Sequence, residues 1–155
     1  MKNKVLIIND KMNNFNNFDK VKILFICKNN SIRSQIAEAI INSFYGETHI
    51  AFSGGTQVKN INKNTIKVLK EIDIDISNKK SKNIEIFRNM KFHHVITVCD
   101  DDNCHYFPNA DNYINKNFKD PQNLSKLDIG ILNDFKKVRD EIKEWIIEMV
   151  ENKVI

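Results

Sequence analysis

Two residue types at one spacing suggest chemistry: Cys27, followed six positions later by Arg33 and then by Ser34, in the stretch KILFICKNNSIRSQIAE. An apolar run delivers the cysteine to a polar loop, and the loop opens a helical pattern. Backbone N–H groups and the helix dipole converge at such a junction, so it forms an anion site. Arg33 adds a planar, two-pronged donor suited to a tetrahedral oxyanion. The same field favours the thiolate of a cysteine, its nucleophilic form, and Ser34 can donate a hydrogen bond to it. The loop residues Lys28, Asn29, Asn30, Ser31 and Ile32, with Arg33, are the expected oxyanion binders. Taken alone, a cysteine and an arginine at this distance are more often a buried thiol and a surface charge.

Asp120, immediately before Pro121, is the second chemical element. Proline holds the preceding residue extended, so the Asp120 carboxylate can be aimed with little freedom lost; an Asp-Pro pair by itself is a turn signal. The third element is Cys99 and Cys104 in VCDDDNCHYFP. Two thiols so close can exchange disulfides, or be a core residue and an exposed thiol. A zinc site on Cys99, Cys104 and His105 lacks a fourth ligand of suggestive spacing. His49, His93 and His94 form no ligand pattern and read as surface or strand-end residues.

These groups need elements to hold them. Lys22 to Ile26 is apolar almost throughout, as a parallel strand buried on both faces is, and Ser34 to Tyr45 repeats Ile36, Ala37, Ile40, Ile41 and Phe44 at helical spacing until Gly46. His49 to Phe52 is a short strand, with Gly54-Gly55 marking a turn after it. Asn62 to Ile72 is a second helix, Asn83 to Met90 a short third, and His94 to Cys99 a strand rich in branched residues. Asp111 to Ile114 is a fourth strand. Ile129 to Glu151 is a long helix with Leu132, Phe135, Val138, Ile142, Trp145, Ile146 and Met149 on one stripe. Alternating strands and helices predict a three-layer α/β/α fold around a four-stranded parallel sheet, with its site at the C-terminal strand ends. Cys27 and Cys99 both sit at such ends.

At 155 residues the chain fits one domain. Residues 1–20, rich in asparagine, read as a flexible extension, and residues 21–155 as the domain proper. A net charge of +4 is spread over interleaved lysines and acids, without the clustered basic stripe that nucleic-acid binding needs. There is no signal peptide, no apolar run approaches the roughly 20 residues of a membrane span, and three cysteines cannot all pair. A monomer in a reducing cytoplasm is expected.

CKNNSIRSQIAEAI resembles the phosphate loop of the low-molecular-weight tyrosine phosphatase superfamily, in particular its thioredoxin-coupled arsenate reductase branch, whose loop continues Arg-Ser-Gln-x-Ala-Glu. The phosphatase branch usually has proline where this chain has Gln35. The resemblance continues through FSGGT, EIDIDISNKKSK, VITVCD, Asp120-Pro121 and FKKVRDEIKEWI, nearly everything after residue 20. It implies that Cys27 attacks an arsenate or phosphate oxyanion and that Asp120 protonates the leaving group. It further implies that Cys99 and Cys104 relay electrons from thioredoxin, with no cofactor. The alternative within the superfamily is a tyrosine phosphatase working through a phosphocysteine. A rival of another class is a non-catalytic oxyanion-binding module. The chain departs from the reductases in a shorter Cys99–Cys104 span and in His105, where proline usually follows the third cysteine. Some reductases bind potassium through residues matching Asn30, Glu38 and Ser53 plus an acid where this chain has Lys82. No metal is expected here, the Lys82 ammonium standing near Glu38 instead.

Overall fold

The computed structural model describes residues 20–99 and 109–155. The expected N-terminal extension, all but Lys20, and the segment carrying Cys104 and His105 lie outside the described residues. Strands β1 (Val21–Cys27), β2 (His49–Gly55), β3 (Phe92–Thr97) and β4 (Ala110–Asn115) form one parallel sheet in the order β2-β1-β3-β4. The helices are α1 (Arg33–Phe44), α2 (Lys63–Lys70) and α3 (Asp128–Glu151). The first predicted strand and the long last helix agree with β1 and α3 to within a residue at each end.

β1 is central because it is apolar on both faces. Ile23 and Phe25 point into a large core with Ile36 and Ile40 of α1, Val68 and Leu69 of α2, and Phe135, Val138, Ile142 and Ile146 of α3. Leu24 and Ile26 meet Phe92 and Val95 on the opposite face, beneath Ile84 and Phe87. The predicted helix Asn83 to Met90 is only a 3-10 turn, Ile84–Phe87, whose Asn83 cap accepts from Glu85 N–H. Two buried apolar side chains suffice to seat a turn of that length. Among the described residues this turn forms the thinner outer layer. No described helix is long and apolar enough to cross a membrane.

Two boundaries differ from expectation for local reasons. Gly54 and Gly55 do not turn the chain; they extend β2, paired with Ile26 and Cys27. Glycine in a strand marks a close approach of other atoms, and a Cβ on Gly55 would lie 2.7 Å from the Lys28 carbonyl oxygen and 2.8 Å from the Asn30 nitrogen. The third strand starts at Phe92 and ends at Thr97. Val98 and Cys99 run on past it, with Val98 N–H still donating to the Ile26 carbonyl at 2.9 Å.

Candidate active site

The loop between β1 and α1 is held by its carbonyl groups. Lys28 O accepts from Gln57 N–H at 2.8 Å, Asn29 O from Lys59 N–H at 3.1 Å, and Ser31 O from Asn62 N–H at 3.1 Å. Asn30 O accepts from the Ser81 hydroxyl at 2.8 Å. In a trans peptide the following N–H points opposite the carbonyl. Four outward carbonyls therefore turn the N–H groups of Asn29, Asn30, Ser31 and Ile32 to the loop's inner side, where they form an anion cradle. α1 adds its positive end: no side chain caps it, and no acid stands in its first turn.

Asn30 is the keystone. Its φ is 49°, the left-handed region that asparagine tolerates better than most residues, and it is fully buried. Lys82 N–H donates to its Oδ1 at 2.8 Å and Gln35 Nε2 at 2.9 Å. A backbone N–H can only donate, so the orientation of the carboxamide is fixed. Asn30 Nδ2 then donates to Ser34 Oγ and Ser53 Oγ, each at 2.9 Å. Ser34 Oγ also lies 2.8 Å from Cys27 Sγ, and when the cysteine is a thiolate, which can only accept, the Ser34 hydroxyl is the donor. By the same logic the Ser53 hydroxyl donates to the Glu38 carboxylate, which also takes the Lys82 ammonium at 3.2 Å. With Cys27 as thiolate, donors thus run from the Lys82 N–H through Asn30 and Ser34 to the sulfur in one direction.

Across the cradle, Arg33 Nη1 donates to the Phe118 carbonyl at 2.8 Å, and Nη2 stands 3.6 Å from Asp120 Oδ2. Asp120 is extended at φ −74°, ψ 115°, as the following proline requires, and its Oδ1 accepts from Gln122 N–H at 3.0 Å. Cys27, Asn29, Ser31, Ile32 and Arg33 line one small cleft with Asp120 and Gln122 opposite. Of the remaining loop residues, Lys28 is exposed and Ser31 ties its hydroxyl to Asn60 O at 2.8 Å.

The structure therefore gathers Cys27, Arg33 and Asp120 at one cleft, sets the buried Ser34 behind the Cys27 sulfur, and puts Asn30, Glu38, Ser53 and Lys82 in one network beneath them. Cys99 is buried two residues beyond the end of β3, the neighbour of β1. It is disulfide-bonded, whereas Cys27 is a free thiol. Cys104 lies outside the described residues. Sequence reasoning missed the Phe118 carbonyl, the Gln35 carboxamide, Ser81, and the clamping N–H groups of residues 57, 59 and 62. Only the Gln35 position had a signal, in the Arg-Ser-Gln run.

Residues 22–154 match the family described as low molecular weight phosphotyrosine protein phosphatase. The chain belongs to that family. It is 36% identical over 138 residues to arsenate reductase 2 of Staphylococcus saprophyticus, which covers 86% of this chain and 99% of the relative. An arsenate reductase of Bacillus cereus is 35% identical over 130 residues, covering 83% of this chain and 92% of its own. Among solved structures, an arsenate reductase in the phosphate binding state superposes with a TM-score of 0.73 at 26% identity, covering 85% of this chain and 98% of the other.

Proposed function

We propose that this protein reduces arsenate to arsenite, using Cys27 as nucleophile and thioredoxin as electron donor. The observation that carries the reading is a free cysteine thiol in an anion cradle at the end of β1, with a disulfide-bonded cysteine, Cys99, two residues past the end of the neighbouring strand β3. A hydrolase of this family needs only the first; a reductase needs both. The similarity to named arsenate reductases over most of the chain supports the same choice.

In this mechanism the cradle N–H groups and Arg33 bind the oxyanion, and Cys27 Sγ forms a bond to arsenic as one arsenate oxygen leaves as water, protonated by Asp120. The Cys99 thiolate then attacks Cys27 Sγ. The electron pair of the sulfur–arsenic bond stays on arsenic, which falls from As(V) to As(III) and departs as arsenite, leaving a Cys27–Cys99 disulfide. Cys104 attacks Cys99, forming the Cys99–Cys104 disulfide and freeing Cys27 as thiolate. A thioredoxin dithiol reduces that disulfide and restarts the cycle. Residues 21–155 carry this chemistry as a monomeric domain, residues 1–20 are appended to it, and a reducing cytoplasm keeps Cys27 free.

The test is arsenate-dependent NADPH oxidation in the presence of thioredoxin and its reductase, run beside hydrolysis of an aryl phosphate. Cys27→Ser should abolish both activities. Cys99→Ser and Cys104→Ser should stop multiple turnover on arsenate and leave aryl phosphate hydrolysis. Sustained arsenate turnover by both single variants would overturn the relay, and hydrolysis without arsenate turnover by the intact protein would make it a phosphatase.

A further inference from the structure

The acceptor that holds Arg33 is a backbone carbonyl, and the carbonyl of Phe118 can sit only where the Phe118 ring lets it. Its own N–H gives little anchorage, since it reaches the Val98 carbonyl only at 3.4 Å. The ring is buried, at 4% exposure, and meets the indole of Trp145 edge-to-face with centroids 6.0 Å apart and planes at 75°. Lys116 Nζ lies 5.7 Å from the centroid of the same ring. Asp120 follows two residues later, so the docking of this one ring places both the arginine's acceptor and the carboxylate across the cleft.

We infer that Trp145, on α3 and outside the cleft, is a positioning residue for oxyanion binding: it seats the Phe118 ring, the ring places the Phe118 carbonyl, and the carbonyl aims the Arg33 guanidinium at the cradle. The inference rests on the oxyanion-binding part of the proposed function and is independent of the redox steps. Trp145 is the single tryptophan of the chain.

The test is calorimetric titration with inorganic phosphate of the full-length protein and its variants. An edge-to-face ring pair and the order it imposes translate into a rise in phosphate Kd of roughly tenfold for Trp145→Ala. Trp145→Phe, which restores a ring edge, should stay within about threefold of the parent on the same reasoning. Phe118→Leu keeps the carbonyl and removes the ring, so it should match Trp145→Ala; it serves where the alanine variant does not fold. Alkylation of Cys27 by iodoacetamide in phosphate-free buffer should change by much less than the phosphate Kd in every variant, because Ser34 and Asn30 hold that thiol from the other side. Parent-like phosphate affinity in Trp145→Ala and Phe118→Leu overturns the inference. So does failure of phenylalanine to rescue, or a change in alkylation as large as the change in Kd, which would mean general loosening. Loss of arsenate turnover in the parent protein would sink the proposed reductase and leave these phosphate outcomes readable.

Discussion

Replacing Asn30 separates two things that this residue does at once. Its side chain makes four hydrogen bonds, to Lys82 N–H, Gln35 Nε2, Ser34 Oγ and Ser53 Oγ, and its backbone holds φ at 49°. In Asn30→Ala the Lys82 N–H loses its side-chain acceptor, at about 1–3 kcal/mol, and the other three bonds are lost at about 0.5–1.5 kcal/mol each. Holding alanine left-handed adds about 1 kcal/mol. The sum is about 6 kcal/mol, against a typical total stability of about 5–15 kcal/mol. Asn30→Gly loses the same four bonds without the backbone penalty, so it should be less destabilised than alanine by about 1 kcal/mol. Urea unfolding, followed by the emission of Trp145 and by circular dichroism, measures both variants. An Asn30→Ala midpoint that implies less than about 1 kcal/mol of loss refutes the keystone role of the carboxamide. Glycine less stable than alanine would refute the claim that the left-handed backbone matters.

Three further outcomes follow from named contacts. Ser34→Ala removes a hydrogen bond to the Cys27 sulfur, and because bonds to charged groups contribute about 1.5–3 kcal/mol, iodoacetamide alkylation at neutral pH should slow roughly tenfold or more; an unchanged rate removes Ser34 from the site. Gly55→Ala pushes a methyl group into the loop backbone at Lys28 and Asn30, so phosphate affinity should fall at least roughly tenfold while the sheet survives; parent-like affinity would show that the loop can move aside. Burial first, then the positive charges of His93 and His49, hold the folded His94 below its ordinary value of 6.5, with Asp111 opposing. The unfolded chain therefore binds the extra proton, and stability is full above 6.5 and falls as pH drops below it. His94→Leu should flatten the urea midpoint between neutral pH and mildly acidic pH, and an equal slope in the variant would assign the dependence to other groups.

The parts of the site that were legible in the sequence were those built by consecutive residues. Cys27 through Ser34 had to leave a strand and enter a helix, because the apolar run of β1 and the helical spacing of α1 left no other reading. Asp120 was picked out through the family resemblance, since the pair with Pro121 restricts its backbone but by itself signals only a turn. Gly54-Gly55 misled, because a glycine pair signals a turn unless one knows that a second backbone lies against it, and that backbone comes from residues 28–30. The Phe118 carbonyl gave no signal, since every residue carries one and its partner is 85 positions away. Lys82 was placed near Glu38 through the family resemblance; no local pattern links residues 44 apart.

The scatter of the cradle along the chain bears on how the protein folds. Its walls come from the ends of β1 and β2, the segment from Gln57 to Asn62, the backbone around Lys82 and the carbonyl of Phe118, all brought together by a parallel sheet whose every pairing is long-range. Such contacts form late, after the loop-closure entropy of the sheet has been overcome. The anion site is then absent from the folding transition state. Phosphate in a refolding buffer should leave the folding rate unchanged and slow only unfolding, by the factor by which it stabilises the native state.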